Sequence, residues 1–94
     1  MEPNLKFFSN DRFLILELIY KNLVTIKKKC YAPLSQQEIA DIAHFSKLKT
    51  NKILKELLDN DYVYFFNETR GKYAITNKGN SVLRIILKNE FKEI

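Results

Sequence analysis

Apolar residues recur at helical spacing near the start of the chain. Five of them fall on one helical face: Ile15, Leu16, Ile19, Leu23 and Ile26. Asn10 or Asp11 suits the beginning of such a helix, and residues 27–29, all lysine, suit its end, because cations are favoured there by the helix dipole. A strand over residues 13–20 also fits the apolar run. The periodicity continues to Ile26, however, and so favours a helix over residues 10–29.

A shorter amphipathic segment follows a connector, residues 30–34, that contains Pro33 and has room for one short strand. Ser35 and Glu38 have the spacing of a capping box, in which the serine hydroxyl and the glutamate side chain each bond the other residue's backbone N–H. This spacing predicts that a second helix begins at residue 35. Its predicted buried positions are Ile39, Ile42 and Ala43.

A third helix is predicted over residues 47–59, after a turn at residues 44–45 and a cap at Ser46. Its inward positions are Thr50, Ile53, Leu54, Leu57 and Leu58. Residues 60–61, Asn and Asp, are types that tolerate a left-handed backbone, so they are expected to end the helix.

Two strand-forming segments and a last helix complete the pattern. Residues 62–66 are β-branched and aromatic, residues 72–76 return after a polar turn, and Gly71 supplies the positive φ that such turns need. Thr76 or Asn77 caps a helix over residues 77–94. Its apolar positions are Val82, Leu83, Ile85, Ile86, Leu87 and Phe91.

The order of these elements is that of a winged helix-turn-helix. The expected fold class is therefore mainly α (α+β): a three-helix core with a two-stranded β-wing and a C-terminal helix. Ninety-four residues suffice for one such domain, so a single winged-helix domain over residues 1–94 is expected. Within it, residues 1–9 are expected to be loosely ordered.

Three segments of the chain resemble MarR/PadR-type winged-helix transcription regulators. They are LSQQEIA at 34–40, TNKILKEL at 50–57 followed by Tyr62 and Val63, and YAITNKG at 73–79. The first is similar to the family's first helix of the helix-turn-helix, the second to its recognition helix, and the third to the segment that leaves the wing. The resemblance covers residues 11–88. It implies a DNA-binding transcription regulator with residues 46–59 as recognition helix and residues 67–72 as wing.

Charge supports a polyanionic partner. The chain has sixteen basic and eleven acidic residues, a net charge of +5 and a pI of about 9.4. No acid interrupts residues 47–55, whereas a helix face that only meets solvent usually mixes signs. The candidate DNA-binding residues are Ser46, Lys47, Lys49, Thr50, Asn51, Lys52, Lys55, Arg70 and Lys72. A merely solvated helix face is the alternative.

The chemistry of these residues suits a DNA groove. Lysine donates to guanine acceptors and to phosphates, and Asn51 has the donor and acceptor pair that matches adenine. Lys49, Lys52 and Lys55 are spaced by three, so they are expected along one face. In the wing, Arg70 and Lys72 suit a minor groove or phosphates.

Other chemistries have little support in the sequence. With one cysteine, Cys30, and one histidine, His44, neither an intrachain disulfide nor a metal site is expected, and no cofactor is expected. Phosphate-binding loops and nucleophile elbows are absent from the sequence, so an enzyme is not expected. Signal-peptide order and an apolar run of eighteen residues are also absent. A soluble cytoplasmic protein without membrane contact is expected.

Two functions remain open: a dimeric repressor that binds double-stranded DNA, and a winged-helix module for protein interaction, for example a subunit of a replication or transcription assembly. Surplus apolar residues at 13–20 and 82–87 predict a homodimer through the first and last helices. Alternatively, the last helix packs over the first within one chain.

Overall fold

Four α-helices and two antiparallel β-hairpins form a winged-helix fold in the computed structural model, which describes residues 10–92 and the side chains of residues 11–87. The elements are α1 Asn10–Lys21, β1 Val24–Ile26, β2 Lys29–Tyr31, α2 Gln36–Ala43, α3 Lys47–Asp59, β3 Val63–Phe65, a 3-10 turn Phe66–Glu68, β4 Tyr73–Ile75 and α4 Asn77–Lys92. The predictions for residues 1–9, for residues 93–94 and for the side chain of Phe91 lie outside the described part.

Hydroxyl side chains begin three of the helices, as predicted. The Ser35 Oγ accepts from the Glu38 N–H at 3.1 Å, and the Ser35 N–H donates to the Glu38 carboxylate at 3.0 Å, which completes the capping box of α2. Ser46 accepts from the Lys49 N–H at 3.1 Å at the start of α3. Thr76 accepts from the Gly79 N–H at 3.0 Å at the start of α4.

Left-handed residues form the turns where the sequence predicted them. His44 has φ 58° between α2 and α3, Asp61 has φ 65° after α3, and Gly71 has φ 83° in the wing. The Phe45 N–H donates to the Ala40 carbonyl at 3.1 Å and so satisfies an end group of α2. The turn at His44 lets the chain change direction between α2 and α3.

The core lies between α1, α2, α3, the wing and α4. Its fully buried side chains are Ile15, Leu16, Ile19, Ile39, Leu54, Leu57, Tyr62, Val63, Tyr73, Val82 and Leu83. The start of α4 approaches the backbone before β3 so closely that a Cβ built on Gly79 would lie 2.3 Å from the Tyr62 carbonyl oxygen. Only glycine permits this contact.

The first helix is shorter than predicted. It ends at Lys21, and residues 22–29 form a connector and most of a hairpin, β1–β2, in place of the predicted helix. Leu23 and Ile26 fit the helical period, but Val24-Thr25-Ile26 is a β-branched run, and such residues lose side-chain freedom in a helix and fit a strand. The prediction that Ile26 shares a helical face with Ile15 and Ile19 is wrong, because Ile26 lies in β1 and its side chain is exposed.

The buried face of α2 also differs from the prediction. Ile42 is 48% exposed, whereas Ala40 is buried. The face that meets the core is formed by Ile39 and Ala40, with Ala43 at its edge. The choice between Ala40 and Ile42 depends on where α1 lies, which the local pattern does not determine.

The two-stranded wing is joined to the first hairpin by a single β-bridge at its base. β3 and β4 pair with Val63 opposite Ile75 and Phe65 opposite Tyr73. On the other edge of β4, Ala32 and Tyr73 exchange two backbone hydrogen bonds of 2.7 and 3.1 Å. The chain leaving β2 therefore attaches the first hairpin to the wing.

Candidate nucleic-acid interface

The outward face of α3 is apolar at its first turn and cationic after it. Leu48, Lys52 and Lys55 are exposed on the side opposite the buried core positions of this helix. Leu48 is 82% exposed, more than any other large apolar side chain among the described residues. Lys52 and Lys55 occupy the position that the sequence predicted, and they leave this face positively charged.

Thr50 is not part of the interface. Its side chain is fully buried, and its Oγ1 has no hydrogen-bond partner among the described residues. The prediction that it contacts DNA is therefore wrong. The same helical period that placed Thr50 among the inward residues excludes it from the groove-facing side.

Lys49 does not lie in line with Lys52 and Lys55. Its ammonium pairs with the Asp11 carboxylate at 2.7 Å and lies 4.1 Å from the centre of the Phe45 ring. Three residues advance a helix by about 300°, so a row with this spacing drifts around the helix. Lys49 therefore faces α1, which corrects the prediction that all three lysines lie along one face.

A second ion pair fixes α3 against α1. Arg12 and Glu56 are joined, and both side chains are about three-quarters covered. Two ion pairs, Arg12 with Glu56 and Asp11 with Lys49, therefore hold α3 against α1 and fix the direction of its outward face. A rigid support of this kind is what a binding surface on a helix requires.

Asn51 lies at the edge of the outward face. The residue is half-buried, and its Oδ1 is buried without a hydrogen-bond partner among the described residues. In this rotamer the amide cannot present its acceptor to a base. A bidentate contact with adenine therefore requires rotation of the side chain.

Arg70 brings the wing towards the start of the helix-turn-helix. Arg70, Lys47 and Gln36 line one open groove of about 320 Å³ between the wing, the start of α2 and the start of α3. Beneath it, burial raises the pKa of the Tyr73 hydroxyl, while a hydrogen bond with Gln36 and the charge of Arg70 partly offset the increase. The hydroxyl therefore stays protonated at neutral pH. Ser46, exposed at the start of α3, lies next to Lys47.

Lys72 lies towards the first hairpin. Its ammonium is 5.3 Å from the centre of the Tyr31 ring, and that ring stacks on Phe66 with 4.6 Å between centroids. The two basic residues predicted for the wing thus differ, since Arg70 shares a groove with α3 and Lys72 contacts β2.

Sequence reasoning missed two features of this surface. The first is Leu48. It lies on the side of α3 opposite the inward-facing Thr50, so the helical period predicts that it is exposed. The second is the hairpin of residues 24–31, whose tip carries three consecutive lysines, residues 27–29. Its only sequence signal was the β-branched run before the lysines.

Neither a protein-family model nor a curated protein matches the sequence. Among solved structures, the reduced (Fe(II)) CO-sensing protein from R. rubrum is similar, with a TM-score of 0.67 and 21% sequence identity. The similarity covers 76% of this chain and 34% of that one, so the present chain corresponds to about a third of that protein. At this identity the likeness concerns the fold. Membership of the MarR/PadR-type regulators stays a prediction.

The helices of residues 10–92 are all too short or too polar to cross a lipid bilayer.

Proposed function

We propose that this protein is a transcription regulator that binds double-stranded DNA, with α3 as recognition helix and residues 67–72 as wing. The observation that carries the proposal is the outward face of α3, where Lys52 and Lys55 are exposed and the next carboxylate along that face is Asp59. A helix of this size fits the major groove, and lysines on it bind phosphates and guanine acceptors.

The groove beside Arg70 supports a duplex that lies on both α3 and the wing. Lys47 and Arg70 approach it from the recognition helix and from the wing. A duplex lying across α3 would meet both cations, which places phosphates against Lys47 and the backbone or minor groove against Arg70. Free N–H groups at the start of α3 suit a phosphate in the same region.

We also propose that the regulator is a repressor and that it acts as a homodimer. A dimer is favoured because one short helix reads few base pairs and two copies on a symmetric site read twice as many. Leu14 and Tyr20 on α1 and Ile85 on α4 are exposed, and they would supply the apolar contacts of the interface. Leu83 is buried within the chain, since α4 packs on α1. A charge at Ile85 is therefore the suitable test, with sedimentation equilibrium as the measurement.

Titration of a fluorescent random-sequence duplex at several salt concentrations tests DNA binding. If a dimer neutralises about six phosphates, log K should fall against log salt with a slope of roughly −5. Lys52→Ala should make the slope shallower by about 0.9, and Arg70→Ala should weaken binding evenly across sequences. Lys21→Ala is the matched control, because Lys21 is exposed at the end of α1 and pairs with Glu17.

The competing function is a protein-interaction module, and the exposure of Leu48 favours it, because burial of this side chain against a partner would remove apolar surface from water. Such a module would not need the lysines. Absence of duplex binding at low salt, or binding that is flat with salt, contradicts the regulator and favours this alternative.

A further inference from the structure

The turn of the first hairpin is built from residues that fit it poorly. Ile26 pairs with Lys29, so the two residues between them, Lys27 and Lys28, form a two-residue turn with φ 50° and 68°. A turn with positive φ at both positions favours Asn-Gly, because a side chain with a Cβ is strained in the left-handed region. Two lysines therefore stand where the backbone would be more stable with other residues.

Charge adds a second cost at the same tip. Residues 27–29 are three consecutive exposed lysines, and within the described side chains, residues 11–87, no carboxylate forms an ion pair with any of them. Like charges this close repel each other. A backbone held in a sparsely populated region is an observation from which a functional role can be inferred. A polyanion bound at the tip would neutralise these like charges and so relieve the second cost.

The hairpin stands beside the wing. Lys28 and Lys29 line one open groove with Tyr64, Phe66 and Asn67 of the wing. Hydrogen bonds between Ala32 and Tyr73 and the stacked rings of Tyr31 and Phe66 hold the two hairpins together. The tip is therefore held in a defined position relative to the wing.

The wing thus has cations on both sides. Arg70 and Lys47 line the groove towards α3, and the lysines of the first hairpin line the groove on the other side. A duplex bound by α3 and the wing continues past the wing, and its phosphates repeat along the whole of its length. The positive charge of the first hairpin is complementary to the phosphates of the duplex beyond the wing.

We propose that the tip of residues 27–29 is a second DNA-contacting arm that binds phosphates flanking the segment met by α3. This inference rests on the proposed function, because it assigns an additional contact to the same duplex. The arm contacts backbone only, so it increases affinity and the length of DNA covered without adding sequence preference.

The double variant Lys27→Asn/Lys28→Gly should make the fold more stable and DNA binding weaker, so it separates a structural role of the tip from a DNA-binding role. Asn-Gly is the preferred sequence for this turn, so the melting temperature should rise, by about 4 °C. Affinity for a random-sequence 30-base-pair duplex should fall roughly tenfold, and the salt slope should become shallower by about 1.8 for two lost phosphate contacts. Lys27→Arg/Lys28→Arg keeps the charge and should keep the affinity.

Each outcome is decisive. If the unchanged protein binds the duplex and the Asn-Gly variant binds it with the same affinity and slope, the arm is refuted and the proposed function stands. If the Asn-Gly variant melts at a lower temperature and loses affinity in parallel, the lysines serve the fold, which also refutes the arm. If the unchanged protein does not bind duplex at all, the proposed function fails, and the arm fails with it.

Discussion

The two hairpins of this protein have strands of equal length, but only one of them is part of the core. In the wing, Val63, Tyr73 and Ala74 are buried, and α4 presses against its base. In the first hairpin, every residue from Val24 to Cys30 is exposed. The wing therefore owes its position to packing, whereas the first hairpin is joined to the wing by a backbone bridge at Ala32 and by the ring of Tyr31.

This difference explains why one hairpin was predicted and the other was not. The buried wing strands carry strand-forming residues, and the φ of 83° in the wing's turn is occupied by glycine, so the wing has a recognisable sequence. An exposed hairpin does not need such a sequence. Its sequence reflects whatever its surface does, and here the lysines at its tip resembled the cationic end of a helix.

The largest expected effect tests how firmly the wing is anchored. Gly79→Ala should destabilise the protein by about 3 kcal/mol, because the new Cβ would lie 2.3 Å from the Tyr62 carbonyl oxygen and 2.7 Å from the Ile75 side chain. The clash with backbone outweighs the gain of up to about 1 kcal/mol from replacing a helical glycine by alanine. Urea unfolding followed by circular dichroism measures the difference.

Gly71 is the control for that substitution, because its constraint is of another kind. A Cβ on Gly71 meets nothing within 4 Å, but its φ is 83°. Gly71→Ala should therefore cost only about 1 to 2 kcal/mol, the cost of a left-handed alanine. Equal losses of stability at the two glycines would mean that α4 can move away from the wing, and packing at Gly79 would not be what holds the wing in place.

A matched pair of valines compares the hairpins directly. Val63→Ala removes two methyl groups from a side chain that is 1% exposed, and it should cost about 2 kcal/mol. Val24→Ala makes the same change in the first hairpin, where the side chain is 40% exposed, and should cost roughly 0.5 kcal/mol or less. Midpoints of urea unfolding give both values. Similar losses at both positions would show that the first hairpin contributes to the core.

The ends of the two helices of the helix-turn-helix were predictable from the sequence, because their signals are local. Caps at Ser35 and Ser46 and the left-handed Asp61 depend on neighbours within a few positions. The candidate site was less predictable. The direction of Lys49 depends on Asp11 of α1, and in α2 the exposure of Ile42 depends on where α1 packs. Contacts between distant segments leave no local pattern.

The smallest expected effect concerns exposed apolar residues. Because Val24 is exposed, its substitution should have little effect. Leu48 is also exposed, but its substitution should affect DNA binding, because Leu48 lies on the face proposed to enter the major groove. The thymine methyl group is the apolar feature of that groove. If Leu48 packs against one thymine methyl, Leu48→Ala should weaken binding to the best duplex from a random library roughly fourfold, about the value of one buried methylene.

Replacing thymines of that duplex one at a time by deoxyuridine removes single methyl groups and leaves the base pairing unchanged. At one position the replacement should weaken the unchanged protein by a similar factor and should leave Leu48→Ala unaffected, because the two changes remove the same contact. Fluorescence anisotropy at fixed salt measures both. Lys55→Ala serves as the comparison, since it should keep its sensitivity to the methyl group while losing affinity. If Leu48→Ala and deoxyuridine act additively at every position, Leu48 does not contact a thymine methyl. If Leu48→Ala leaves duplex affinity unchanged, Leu48 does not contact DNA, and its exposure is as inconsequential as that of Val24.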